Sequence, residues 1–107
     1  DKGDNPLNFV DPSGTAMFVY SIQRGVELGL LKAKEYTPVA YRGYQSLFPF
    51  IQVNDRGLLD VIGACDGVVI KKNFVEYVTV PKILNAKEAV AGILWAAVIM
   101  ETEQLKK

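Results

Sequence analysis

Histidine is absent from this sequence of 107 residues, and cysteine occurs once, at Cys65. A single cysteine cannot form a disulfide within the chain. Zinc sites need several cysteine or histidine ligands at close spacing, and the Asp-rich loop of an EF-hand is also missing. The lack of histidine excludes Ser-His-Asp and Cys-His nucleophilic catalysis. A metal held by oxygen ligands alone stays open, but nothing in the sequence indicates one, so we assign no metal, no cofactor and no catalytic dyad to this chain.

The chain also lacks an excess of charge of either sign, because its 12 basic and 12 acidic side chains cancel. Binding to nucleic acid needs a basic face that neutralises phosphates, so this class of partner is not expected. The longest mostly apolar run, Ala89–Met100, is too short to cross a membrane, which takes about 20 residues. The first residue is Asp1 and not a methionine, which suggests that an upstream portion is missing.

The composition fits one folded globular domain, with 50% hydrophobic and 22% charged residues. The stretch "DPSGTAMFVY", residues 11–20, leads from a polar loop into an apolar run. It predicts a first helix with Ser13 as N-cap and Asp11 near the positive end of the helix dipole. Gly29 is the expected stop in a left-handed conformation, with Leu30 packing back on the helix.

The middle of the chain mixes helix and strand signals. Thr37 followed by Pro38 predicts the N-cap and first residue of a second helix, which runs towards Pro49. The segment "FIQVNDRGLLDV", residues 50–61, predicts a hairpin with residues 54–57 as its turn. The later segment "FVEYVTV", residues 74–80, is rich in β-forming residues.

The last helix carries the strongest signals. Asn85 is the predicted cap, Glu88 its capping-box partner, and the helix extends from Ala86 to about Gln104. Apolar residues, including Trp95, are spread around nearly its whole circumference. A helix that is apolar all round is buried on all sides. Two other helices provide too little material to surround it, so we expect further protein to cover this helix.

Taken together, "DPSGTAMFVYSIQRGVELGLL", "YTPVAYRGYQSL", the hairpin, "GACDG" and "PKILNAKEAVAGILWAAVIME" resemble the C-terminal part of glycoside hydrolases of families 88 and 105. The resemblance covers roughly residues 5–103. It implies a mainly α fold, a segment of an (α/α)6 barrel with three main helices and a short β-hairpin. Residues 1–107 would then be a single C-terminal fragment of a larger catalytic domain, in which the first and last helices are inner helices.

The same resemblance implies an activity. These unsaturated glucuronyl and rhamnogalacturonyl hydrolases remove a 4,5-unsaturated uronic acid from oligosaccharides that polysaccharide lyases produce. An aspartic acid protonates the vinyl ether, water adds, and the hemiketal opens. That residue lies in the first half of the family's barrel, so no catalytic residue is expected here and the chain alone should be inactive. The family context is bacterial, cytoplasmic or periplasmic.

The family's substrate funnel opens at the loops that lead into the inner helices. By this resemblance Ser13, Thr15, Asp66 and Lys87 are candidate substrate-binding residues, and helix N-terminal N–H groups suit a sugar carboxylate. Each candidate also has a simpler interpretation. Ser13 and Thr15 could serve only as helix caps, Asp66 as a turn residue before glycine, and Lys87 as a solvated side chain.

Two partners for the last helix follow from its apolar surface. Either the remainder of the barrel or a second copy of the chain packs on residues 86–104. The alternative to a hydrolase segment is a small helical interaction module without catalytic activity, which dimerises through this helix. A stand-alone enzyme that uses Asp11, Asp66 or Glu88 is disfavoured, because a carboxylate near a helix N-terminus makes a poor general acid.

Overall fold

Three long helices account for nearly half of the chain in a computed structural model, which describes residues 2–67 and 69–106. The elements follow in the order α1 (Pro12–Glu27), α2 (Ala33–Ser46), a 3-10 turn (Phe48–Phe50), β1 (Ile51–Val53), β2 (Leu59–Val61), β3 (Ala64–Cys65), α3 (Phe74–Val78), β4 (Lys82–Ile83) and α4 (Lys87–Leu105). The predicted set of three main helices and a short hairpin is confirmed.

Helix α1 begins where the sequence predicts, but its cap is Asp11 and not Ser13. The Asp11 carboxylate accepts a hydrogen bond from the backbone N–H of Gly14 at 3.2 Å, and Ser13 donates its hydroxyl to the same oxygen. Pro12 is the first helical residue, where its missing N–H has no cost. Asp11 is the better cap because it combines an acceptor with a negative charge at the positive end of the helix.

The end of α1 confirms the role of Gly29 and corrects that of Leu30. Gly29 has φ of 75°. Its N–H and that of Leu30 donate to the carbonyls of Val26 and Gly25 at 3.0 and 2.9 Å, which satisfies carbonyls at the helix end. Leu30 itself is 76% exposed. Leu31 packs back instead, so closely that a Cβ on Gly25 would lie 2.9 Å from Leu31 Cδ1.

Helix α2 begins at Ala33, four residues before the predicted cap. Thr37 and Pro38 therefore lie inside the helix, and the prediction that they start it is wrong. Alanine, lysine and glutamate at positions 33–35 are strong helix formers, so the helix extends upstream of the proline. The consequence is local: Pro38 has no N–H to donate to the carbonyl of Lys34.

The hairpin is confirmed, with β1 and β2 antiparallel and Ile51 opposite Val61. Asn54 organises its turn, because its side-chain oxygen accepts from the N–H groups of Arg56 and Leu58. Gly57 has φ of 75°, as this turn requires.

The β-rich segment at residues 74–80 does not form a strand. Asn73 accepts a hydrogen bond from the N–H of Glu76 at 3.0 Å and caps the short helix α3. This local cap overrides the β propensity of the valines and aromatic residues. The strand that does form nearby is β4, which pairs with β3 so that Cys65 lies opposite Lys82. Cys65 is a free cysteine and is buried.

Helices α1 and α4 run parallel, and α2 runs antiparallel to both. A Cβ on Gly92 would lie 3.2 Å from the Cβ of Ala16, and one turn further along the Tyr20 and Trp95 rings meet edge to face at 4.9 Å. The reverse order holds for α2, where Tyr41 and Tyr44 bond to Gln104 and Glu101 of α4. Small residues let these backbones approach closely. The shared core comprises Ala16, Val19, Ala40, Tyr44, Leu47, Val61, Ala64, Ala86, Ala89, Ile93, Ala96, Ile99 and Met100.

Helix α4 is buried on one side only. Ile93, Ala96 and Met100 face the core, whereas Leu94, Trp95 and Val98 are 60%, 59% and 69% exposed. Trp95 thus lies on the side of α4 that we expect further protein to cover. Met17 and Tyr20 of α1 border the same side. We call Met17, Tyr20, Leu94, Trp95 and Val98 the apolar face.

Tyr44 gives the fold a predictable sensitivity to alkali. Burial, then its hydrogen bond to Glu101 at 2.7 Å and that residue's negative charge, with a smaller effect of Tyr41, raise the pKa of Tyr44 to about 12. A raised pKa in the folded state favours the neutral phenol. This contribution to stability is therefore full below the ordinary value of about 10 and is lost as pH rises towards 12.

We expect Tyr44→Phe to remove this loss. Urea unfolding at several pH values between 8 and 12 should show the wild-type free energy of unfolding falling towards that of Tyr44→Phe above pH 10. Tyr36→Phe, at an exposed position of the same helix, is the matched control and should follow the wild type. Parallel curves for the wild type and Tyr44→Phe would contradict the assignment.

Candidate functional site

Because α1 and α4 run parallel, their N-termini lie at the same end of the helix bundle. The β3–β4 pair leads directly into α4, so it lies at this end too. The loop before α1 joins it, with Lys82 Nζ 4.0 Å from the centre of the Phe9 ring. We call residues 11–15, 64–67 and 81–88 the rim. The rim contains all four predicted substrate-binding residues.

Ser13 and Thr15 both use their hydroxyl protons within the chain. Ser13 donates to the Asp11 carboxylate, and Thr15 Oγ1 donates to the backbone carbonyl of Asp11 at 3.1 Å. Ser13 is buried and Thr15 is half-buried. A hydroxyl whose proton is engaged can still accept a hydrogen bond. At this helix end a ligand would therefore offer a hydroxyl donor and not a carboxylate.

Asp11 is the residue that the sequence reasoning underused. It organises both hydroxyls and caps α1, and its Oδ1 atom is buried with no hydrogen-bond partner among the described residues. The signal was the placement of an acidic residue directly before proline, since proline favours the first helical position. The negative charge of Asp11 also occupies the positive end of α1, which makes this N-terminus a poor site for an anion.

Asn85 does not cap α4, which corrects the predicted capping box with Glu88. Its backbone is left-handed with φ of 54°, and the N-cap is Ala86. The Asn85 side-chain oxygen accepts from the N–H of Val61 at 2.7 Å, and its amide nitrogen donates to Asp60 at 3.0 Å. The Asn85 side chain therefore ties strand β2 to the start of α4. Sequence proximity to the helix concealed this long-range role.

The N-terminus of α4 is consequently left without a side-chain cap among the residues that the structure describes. Its first-turn N–H groups and the positive end of the helix dipole are features that suit an anion. Lys87, the first helical residue, is exposed and adds a positive charge at this point. The two helix starts thus differ in charge, with Asp11 at α1 and the adjacent pair Lys87 and Glu88 in the first turn of α4.

Asp66 lies in a bend between Cys65 and Gly67, which has φ of 76°. The turn interpretation therefore accounts for its backbone. The Asp66 side chain is exposed, and the residue directly follows the last residue of β3. For Asp66, as for Ser13, Thr15 and Lys87, a role in substrate binding stays a prediction.

We expect Asn85→Ala to destabilise the fold by about 2 kcal/mol. The change removes the side-chain oxygen that accepts from the N–H of Val61, and alanine tolerates the left-handed backbone of residue 85 less well than asparagine does. Chemical denaturation measures the loss. Asn85→Gly separates the two causes, since glycine relieves the backbone strain and still lacks the hydrogen bonds. If Asn85→Ala is as stable as the wild type, the hydrogen bonds from the Asn85 side chain to strand β2 do not stabilise the fold.

Within residues 2–67 and 69–106, no group of three or more acidic or cysteine side chains is placed to hold a metal ion. None of the helices described is long and apolar enough to span a membrane.

Comparison with known proteins identifies relatives of this chain. The sequence model of Glycosyl Hydrolase Family 88 matches residues 1–104. A solved structure of a glycoside hydrolase from family 105 of C. acetobutylicum superposes with a TM-score of 0.85 at 27% sequence identity. That match covers 95% of this chain and 30% of the other, so this chain spans less than a third of that relative's length. None of the curated proteins is significantly similar in sequence.

Proposed function

Since this chain belongs to Glycosyl Hydrolase Family 88, we propose that it acts as part of a larger (α/α)6 barrel and supplies one section of its substrate funnel. The single observation that supports this most is the parallel arrangement of α1 and α4. In a barrel of alternating inner and outer helices the inner ones run parallel, and the helix between them runs back, as α2 does here. Residues 1–107 then form the C-terminal part of the catalytic domain.

The proposed reaction is removal of a 4,5-unsaturated uronic acid from a lyase-generated oligosaccharide. A proton adds to one carbon of the double bond, water adds to the other, and the hemiketal opens to release the remaining sugar. The proton donor belongs to another part of the barrel. This chain contributes binding groups only, so activity requires the complete enzyme.

The rim divides the recognition of the sugar between two helix ends. Lys87 and the uncapped N-terminus of α4 offer a positive charge and N–H donors for the uronate carboxylate, and the Glu88 carboxylate in the same turn reduces the net charge there. Ser13 and Thr15 offer acceptor lone pairs for sugar hydroxyls, because Asp11 holds their protons. Asp66 offers a further carboxylate acceptor for a hydroxyl at the end of β3.

An NMR titration of the chain with an unsaturated uronyl disaccharide tests this proposal. The backbone amide signals of residues 86–88 should shift on binding, and Lys87→Ala should weaken binding about fivefold, the loss expected for one exposed ion pair of about 1 kcal/mol. Lys34→Ala is the control, because Lys34 is exposed near the start of antiparallel α2 and lies at the other end of the bundle. If the disaccharide shifts the amide signals of residues 86–88 equally in the wild type and in Lys87→Ala, the assignment of the carboxylate site is wrong.

The partner of the apolar face is, in this proposal, the remainder of a family 88 barrel. The family 105 relative is more than three times as long as the segment it shares with this chain, so it contains further protein that could cover the equivalent surface. The second candidate function, a small interaction module that dimerises through α4, is favoured by the exposure of Leu94, Trp95 and Val98. A discrete dimer without affinity for the disaccharide would select it.

A further inference from the structure

The most unusual side chain in the core is Gln23. It is fully buried at 0% exposure, on the stripe of α1 that also carries Ala16 and Val19. Neither its amide nitrogen nor its amide oxygen has a hydrogen-bond partner among the residues described. A buried amide left unpaired costs about 1–3 kcal/mol for each group. Native proteins rarely leave such a group without a partner.

A second unpaired polar atom lies at a similar level of the helix pair. Val19 and Gly43 pack against each other where α1 and α2 cross, since a Cβ on Gly43 would meet Val19 Cγ2. In antiparallel register Gln23 is then level with residue 39. Thr37 is two residues away, which is about 3 Å along the axis. Its Oγ1 atom is buried and has no partner within the described part of the chain.

Pro38 leaves one more polar group of α2 without its usual donor, because proline has no N–H to donate to the carbonyl of Lys34. Lys34 and Pro38 are both exposed, so solvent reaches this carbonyl directly.

We propose that an internal water molecule binds between α1 and α2, with the Gln23 amide and the Thr37 hydroxyl as its partners. Two partners are the fewest that a buried water needs. Such a water supplies the hydrogen bonds that the helices do not provide themselves. The proposal does not depend on the reaction of the complete enzyme.

The proposed water predicts the direction in which two substitutions of similar side-chain shape change the stability of the fold. If Gln23 and Thr37 were simply unpaired, Gln23→Met and Thr37→Val would each remove a buried penalty and stabilise the fold. If they share a bound water, each change removes one of its partners and lowers the folding equilibrium constant, by about fivefold. The two changes together should then cost less than their sum, because the second acts on a water that the first has already weakened.

Urea unfolding of the wild type, both single variants and the double variant measures these effects. Gln45→Met is the control, since Gln45 is exposed on α2, and it should leave stability unchanged. NMR supplies an independent observation: a cross-peak from a long-lived water to the Gln23 side-chain amide protons is expected in the wild type and lost in Thr37→Val. Stabilisation by Gln23→Met, or a wild type without that cross-peak, would overturn the proposal.

Discussion

Replacing Trp95 and Val98 together by serine is expected to turn a self-associating chain into a monomer. Both side chains are more than half exposed in the centre of the apolar face. Burying each one against other protein is worth about 1.5–3 kcal/mol, so removing both weakens association by several kcal/mol. Sedimentation velocity measures the change in mass, and fluorescence of a hydrophobic dye should fall several-fold.

The matched control is Ile70→Ser. Ile70 is 93% exposed but lies outside the apolar face, so this change should leave association and dye binding as in the wild type. A wild-type chain that is monodisperse, silent to the dye and melts cooperatively would contradict the expectation. It would also count against the proposal that barrel helices cover this face, because large exposed apolar patches mark interaction surfaces.

Gly92→Leu is expected to destabilise the chain by about 1–3 kcal/mol and to move the rim. At Gly92 a Cβ would already lie 3.2 Å from the Cβ of Ala16 and 3.5 Å from the backbone oxygen of Ser13. Three further carbons cannot fit between α1 and α4 without separating them. This cost exceeds the helix propensity that leucine gains over glycine, which is about 0.8 kcal/mol.

Ala91→Leu is the control for Gly92→Leu, because residue 91 is exposed on the same turn of α4 and tolerates a longer side chain. Denaturation should leave Ala91→Leu within about 0.5 kcal/mol of the wild type. Amide shifts of residues 11–15 should change in Gly92→Leu only, since the Ser13 carbonyl is its neighbour. Equal stability of the two variants would show that the helices can separate there without cost.

The candidate site was predictable only in part. The four binding candidates were assigned to one funnel by family resemblance, and parallel helices bring their segments to one end. What the sequence did not reveal is the chemistry at that end. Asp11 controls the hydroxyl protons of Ser13 and Thr15, and Asn85 leaves the α4 start uncapped to bond with strand β2. Both facts depend on which acceptor a side chain reaches, which spacing alone does not decide.

Local signals by themselves determined the elements whose stability is local. The glycine at the end of α1, the hairpin turn at residues 54–57 and the extent of the apolar last helix follow from backbone preference and periodicity. The start of α2 and the short helix at residues 74–78 also follow local signals, namely the helix formers at 33–35 and the Asn73 cap. Tertiary packing decided which side of α4 stays exposed and which groups the Asn85 side chain bonds to. The physical reason is that caps and propensities are worth about 1 kcal/mol each, whereas burial between helices and long-range hydrogen bonds outweigh them.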